Sequence, residues 1–214
     1  MDATVSPWSN YSFRMLSDEE RQERLNKIIS ERPEGPLWVF AFGSLMWNPC
    51  YEFDKKEVAL LNGWERKFHI WTTVARGTPD RPGLGLCLEK GEGECRGIVY
   101  RLLPENEDTD WQALWCREMT SGVYKAVWAD LETENAGTVR ALTFVVDPGH
   151  SQYAGELPLD TMSAIMAGAC GRYGTCRDYL AGTVEGMEKI GVSDPYLSKL
   201  LGLIDRREAE ASAG

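Results

Sequence analysis

The feature that most constrains this chain is a succession of strand-length apolar segments between Leu37 and Val146, interrupted by turn residues and by one helical stretch. Leu37 to Phe42 (LWVFAF) is uniformly apolar and bounded by Pro36 and Gly43, so it reads as a short strand covered on both faces. Glu57 to Leu61 and Trp64 to Thr73 read as two strands joined at Asn62-Gly63, a dipeptide suited to the φ > 0 positions of a hairpin turn. Leu84 to Leu88 and Cys95 to Leu103 read as another pair, around the acidic turn Glu89 to Glu94. Tyr124 to Trp128 and Thr138 to Val146 complete the set. Hairpins outnumber βαβ units, so the expected fold class is α+β, with a mainly antiparallel or mixed sheet of about six or seven strands able to close into a small barrel.

Helices flank this region. Ser17 and Glu20 form a capping box ahead of a thin apolar face at Leu25, Ile28 and Ile29, which suits a surface helix stopped by Pro33 to Pro36. Leu159 to Cys170 places Met162, Ile165, Met166 and Ala169 on one face. Thr175 with Asp178 caps a helix running through Ile190 and closed by Gly191. Ser193-Asp194-Pro195 opens the last one, with Leu197, Leu200, Leu201 and Ile204 inward. The expected organisation is an arm and surface helix over residues 1–36, one globular domain over 37–206, and a tail over 207–214.

Composition narrows the partners. With 214 residues, 43% hydrophobic and 26% charged, the chain can bury a full core without staples. A net charge of −10 without a basic run disfavours nucleic acid and anionic membrane surfaces, because phosphate contacts need clustered Lys and Arg. No apolar run approaches the ~20 residues of a membrane span, and Met1 to Met15 lacks a hydrophobic signal region. The expected location is cytoplasmic. The six cysteines include no CxxC pair, so free thiols in a reducing compartment are expected. Two histidines rule out a His-rich metal site, while a carboxylate site stays open.

The helical interruption, Thr109 to Tyr124, carries the oddest residue. Thr109 and Gln112 suggest a capping box, and Trp111, Leu114 and Trp115 lie on one face. The next position on that face is Glu118, just ahead of the helix-ending Ser121-Gly122. Desolvation and the helix dipole would both raise its pKa, which suits a general acid or base. It could equally reach water or the adjacent Arg117. Gly43-Ser44-Leu45-Met46 follows the first strand and could aim N–H groups at an anion or an oxyanion, or be a plain tight turn. Arg76 and Arg81 could hold a carboxylate or form surface ion pairs. His69, without an identified partner in the sequence, reads as structural. A hydrolase built on Ser44, His150 and Asp147 is disfavoured, because Gly43-Ser44-Leu45 lacks the second glycine of a nucleophile elbow.

Together these segments resemble the γ-glutamylcyclotransferases. Trp38 to Trp47 is similar to their YGSL signature. Arg76-Gly-Thr-Pro-Asp80, Cys95-Arg-Gly97, Arg117-Glu118 before Gly122-Val-Tyr124, Tyr153-Ala-Gly155, and Gly171-x-x-Gly174 before Asp178-Tyr179-Leu180 resemble the glutathione-specific ChaC branch. The match runs from about Leu37 to Leu203, and it rests on the order and spacing of motifs that are individually weak. The resemblance implies a small mixed β-barrel flanked by helices, and cleavage of glutathione to 5-oxoproline and cysteinylglycine without a metal or organic cofactor. It implies Glu118 as the catalytic acid/base, and Phe42, Gly43, Ser44, Leu45, Met46 and Tyr153 as substrate-binding residues. Two departures stand out: Phe42 replaces the signature's tyrosine, and Val123 stands where Gly-Gly-Tyr is common. They bear on rate and substrate range more than on reaction type. Another γ-glutamyl amide as substrate, or a non-catalytic binding module, would keep the same fold.

Overall fold

The strand-length segments form five strands: β1 (Trp38–Ala41), β2 (Phe53–Thr72), β3 (Gly83–Leu102), β4 (Tyr124–Thr133) and β5 (Gly137–Val146). In the computed structural model, which describes residues 12–213, they close into a barrel in the order β1-β3-β2-β4-β5. Residues 1–11 of the expected arm, and Gly214, lie outside the described residues. β1 runs antiparallel to β3 and parallel to β5, through Val39 and Leu142, which makes the barrel mixed. All four residues of β1 are buried, as its uniformly apolar sequence requires. Alternate residues of the strands, among them Trp38, Phe40, Leu61, Leu88, Val99 and Leu131, form one apolar core.

Two expected hairpins do not form. Asn62-Gly63 lies inside β2, and the acidic stretch Glu89 to Glu94 lies inside β3. Gly63 takes φ +78°, but the chain continues past it without reversing. Residues 59 and 60 pair with Thr133 and Glu132 of β4, and the Asn62 amide donates to the Glu132 carboxylate at 3.0 Å. On β3, Gly93 N–H donates to the Glu65 carboxylate at 3.1 Å, and a Cβ at Gly91 or Gly93 would crowd that side chain at 2.7–2.8 Å. Side-chain packing along two 20-residue strands therefore overrides the local turn preference. The expected six or seven strands reduce to five in the barrel, plus a two-residue pair, Cys170–Gly171 with Gly174–Thr175.

α1 (Asp18–Ser30) has the expected Ser17–Glu20 capping box, and it buries Leu25 and Ile28 while Ile29 faces out. It is tied down more firmly than its thin apolar face suggests. The indole N–H groups of Trp115 and Trp128 donate to the carbonyls of Arg21 and Ile28 at 2.7 and 3.1 Å.

α2 (Glu107–Glu118) starts before the expected cap at Thr109, behind a short 3-10 turn, Pro104–Asn106. Pro104 suits such a start because its missing N–H would have no partner there. Glu107, Asp108 and Asp110 then face the positive end of the helix dipole, and the Asp110 carboxylate also accepts the Glu52 amide at 3.2 Å.

The C-terminal helices are α3 (Leu159–Met166), α4 (Cys176–Glu188) and α5 (Pro195–Ala213). Met162, Ile165, Met166 and Ala169 are buried as their spacing requires, although α3 stops at Met166, ahead of Gly168 at φ +66°. The Thr175 hydroxyl caps α4, and Leu197, Leu200 and Ile204 are the buried face of α5, with Leu201 at its margin. Residues 207–213, expected as a tail, continue α5, and the Glu208 carboxylate accepts the Gly168 amide at 3.0 Å.

The described chain divides into two compact units. One comprises residues 14–67 and 87–150, and the other residues 12–13, 68–86 and 151–213. The first holds α1, α2, β1, β4, β5 and most of β2 and β3; the second holds α3, α4 and α5. No helix among the described residues is long and apolar enough to cross a membrane.

Candidate active site

The site is built at the C-terminus of α2. Trp111 and Trp115 fix this helix on the sheet, with their rings edge-on or tilted 6.2 Å from Trp128 of β4 and Phe144 of β5. The helix ends at Glu118, and the Met119 amide bonds back to the Trp115 carbonyl at 2.9 Å. Gly122, at φ +79°, then turns the chain into β4. A Cβ there would meet Leu16 and Arg24 at 2.9–3.3 Å, so both the backbone angle and the space call for glycine.

Glu118 continues the buried face, and its side chain is only 16% exposed. Burial pushes its carboxyl above the usual carboxylate range, while the neighbouring Arg117 guanidinium works in the opposite direction. Arg117 Nε lies 3.4 Å from Glu118 Oε1. The same guanidinium donates to the Ser44 hydroxyl at 2.8 Å and to the Asn48 carbonyl at 2.7 Å. One planar cation thus ties the acid at the end of α2 to the turn after β1.

That turn is a short 3-10 helix, Ser44–Met46. Gly43 sits at φ −138°, so it serves the close approach of backbone rather than a left-handed bend. The first bond of the turn runs from Met46 N–H to the Gly43 carbonyl at 2.9 Å, which leaves the Ser44 and Leu45 amides without a partner inside the turn. The turn is braced at both ends. Phe42 C=O accepts Arg66 Nε at 2.5 Å, and Met46 C=O accepts the Tyr100 hydroxyl at 3.0 Å. Gly43, Leu45 and Met46 are buried, and Phe42 and Ser44 are partly so.

Five of the six residues expected to bind substrate therefore lie on the turn that Arg117 links to Glu118. The sixth, Tyr153, belongs to the other unit, where it bridges Ile70 and sets its ring 6.3 Å from His69. Its assignment rests on its motif. His69 is buried, and its carbonyl accepts the Ala154 amide at 2.7 Å. Arg76 and Arg81 are spent on backbone carbonyls, those of Tyr173 and Thr175 for Arg76 and that of Ala167 for Arg81. Ser44 accepts from Arg117, and Asp147 is held by Lys125 at 2.9 Å and by the Gly149 amide at 3.0 Å, so both carry structural bonds unlike those of a nucleophilic triad. Among the described residues, no cluster of three His, Cys, Asp or Glu is placed to hold a metal. None of the six cysteines, all of them among the described residues, is in a disulfide.

Arg117 and Tyr100, which brace the turn, were not readable from the sequence as residues of this region. Arg117 appears in the sequence only as a neighbour of Glu118, and its reach to Ser44 depends on how α2 meets β1.

A closed mixed barrel flanked by helices is the fold of the γ-glutamylcyclotransferases. The crystal structure of a yeast γ-glutamyl cyclotransferase specific to glutathione superposes with a TM-score of 0.73 at 18% identity, over 81% of this chain and 97% of that one. The ChaC-like protein family matches residues 37–207, and the chain belongs to that family. The glutathione-specific γ-glutamylcyclotransferase of Escherichia coli (strain K12) is 37% identical over 197 residues, covering 92% of this chain and 85% of the relative. The human glutathione-specific γ-glutamylcyclotransferase 1 is 26% identical, covering 78% of each chain.

Proposed function

We propose that this chain is a glutathione-specific γ-glutamylcyclotransferase in which Glu118 carries the protons and the Phe42–Met46 turn holds the γ-glutamyl group. The observation that carries the assignment is the raised pKa of a largely buried Glu118, linked through Arg117 to Ser44 of the turn. Family membership and the names of the relatives support the substrate.

The reaction needs no protein nucleophile. In a γ-glutamyl amide the substrate's own α-amine can reach its γ-carbonyl carbon and close a five-membered lactam. Held in a folded pose, the two atoms react as an effectively intramolecular pair. The α-ammonium first gives a proton to the Glu118 carboxylate. The amine lone pair then forms the C–N bond of the ring, and the carbonyl electrons move onto oxygen. The attacking nitrogen gives up its second proton to the departing nitrogen, directly or through solvent, as the tetrahedral species collapses; the cysteinyl nitrogen leaves with that proton and the one Glu118 delivers, and the lactam keeps a single N–H. The products are 5-oxoproline and cysteinylglycine, and Glu118 ends as it began. A carboxyl of raised pKa suits both halves of this cycle, because it is basic enough to accept and acidic enough to return the proton. The Ser44 and Leu45 amides are donors for the substrate's anionic oxygens. Arg117 keeps Glu118 from drifting fully to the neutral acid and fixes its distance from the turn.

The test is direct. Purified protein incubated with glutathione should yield equimolar 5-oxoproline and cysteinylglycine. Glu118→Gln preserves shape and should lower kcat by roughly 10²–10⁴-fold, the range for removal of an acid–base group. Retention of near-wild-type turnover by the Gln variant would remove Glu118 from the role. Turnover of other γ-glutamyl amides in preference to glutathione would keep the chemistry and change the substrate.

A further inference from the structure

The substrate turn ends on a carbonyl that its own backbone cannot satisfy in the usual way. In a 3-10 turn a carbonyl accepts the amide three residues on, and three residues on from Met46 is Pro49, which has no N–H. A side chain takes the acceptor instead: the Tyr100 hydroxyl donates to the Met46 carbonyl at 3.0 Å, in a buried bond. The phenol is well fixed. Tyr100 lies opposite Val39 in the β1–β3 register, so the strand that carries it is paired with the strand that feeds the turn. Its ring, 2% exposed, is tilted against Phe53 at 4.7 Å and meets Tyr51 edge to face at 5.5 Å. Burial pushes the pKa of its hydroxyl up to about 12, so it stays a donor across the neutral range.

At the other end of the turn, Arg66 Nε holds the Phe42 carbonyl at 2.5 Å. The peptide units between these two pinned carbonyls carry the Ser44 and Leu45 N–H groups, the pair left without a partner inside the turn. We infer that Tyr100 is a positioning residue for the cyclisation: by holding the Met46 carbonyl it keeps the Ser44 and Leu45 amides aimed at the γ-carbonyl oxygen as that oxygen becomes anionic. The inference rests on the reading of this turn as the holder of the γ-glutamyl group. Tyr100 touches no substrate atom and acts through the backbone. Donors fixed before charge develops need no reorganisation when the amine attacks, and that is the advantage of preorganised amides over mobile ones. Loss of the phenol leaves the Met46 carbonyl without this donor, and the peptide units ahead of it can rotate.

Tyr100→Phe tests it, because the ring stays and only the hydroxyl goes. With glutathione, well below the melting temperature, kcat should fall about tenfold, less than the roughly 10²-fold loss on removing an oxyanion donor, because the amides are loosened and not deleted. KM should change by less than about threefold. The acid limb of the kcat/KM profile should keep its position, because Glu118 and Arg117 are untouched. Thr143→Val is the control for general loosening. It deletes a buried hydroxyl bonded to the Phe40 carbonyl of β1 at 3.4 Å, ahead of the turn, and should keep kcat. Unchanged kcat in Tyr100→Phe overturns the inference. So does an equal fall in Thr143→Val, or a rise in KM with kcat held, which would place the brace in ground-state binding. These results leave the assignment of Glu118 intact. The underlying reading has its own test. Ser44→Pro removes one of the two amides at the first position of a helical turn, where proline is accepted, and should lose most turnover. Full kcat in that variant, or no 5-oxoproline from the wild-type protein, would take the turn out of the site.

Discussion

Glu118 sits where a helix face asks for an apolar residue, and its burial raises the pKa of its carboxyl in the folded protein. That shift has a consequence for stability that is separate from turnover. A group whose folded pKa lies above its unfolded value favours the folded state when protonated. Its contribution is full below the unfolded pKa of about 4.3 and is lost as pH rises through the folded value. At neutral pH the ionised Glu118 is therefore a burden on the fold. Glu118→Gln should melt at a higher temperature than wild type at pH 7–8, and the two curves should converge as pH falls toward about 4. Thermal unfolding across that range checks it, and a Gln variant less stable at neutral pH would contradict the burial argument. Glu118 was legible because its periodicity exposed it. The reach of Arg117 to Ser44 was not, because nothing in local spacing shows how the end of α2 meets the turn after β1.

α2 presents Glu118, and two indoles hold α2. Trp115 is 2% exposed, stacks near Phe144 and donates to the Arg21 carbonyl of α1. Trp115→Ala should cost about 3–5 kcal/mol, the usual range for emptying a large aromatic site, and more than Trp115→Phe, which keeps most of the packing. Urea unfolding of the pair measures it; equal stability of the Ala and Phe variants would mean that the ring does not anchor the helix. The same elements show what sequence reasoning reaches. β1, β5 and the α2 face followed from apolar patterning, because burial is a property of the segment itself. The unbroken β2 and β3 did not, because Asn62-Gly63 and the Gly91–Gly93 stretch are turn-forming alone and become strand only beside each other's partners, Glu132 and Glu65. The start of α2 was misplaced for a related reason. Thr109 and Gln112 have the spacing of a cap, but Pro104 and the bond from Glu52 to Asp110 fix the start earlier.

Across the whole molecule, the acidic balance that disfavoured nucleic acid also sets the field a substrate meets. The chain carries a net charge of −10, and glutathione, with two carboxylates and one ammonium at neutral pH, is itself an anion. Attraction to Arg117 is a contact effect, whereas the surplus of carboxylates acts over tens of ångströms when salt is low: the screening length is about 30 Å at 0.01 M and about 8 Å at 0.15 M. An anionic substrate approaching an anionic protein should therefore be slowed most in dilute buffer. If encounter contributes to kcat/KM, its value for glutathione should rise with KCl between about 10 and 150 mM, by roughly twofold rather than by orders of magnitude, and then level off. kcat should change little, since Glu118, Arg117 and Ser44 are in contact and are screened far less than distant surface charges. A steep fall in kcat/KM over the same range would mean instead that positive potential around the site outweighs the net charge and draws the substrate in.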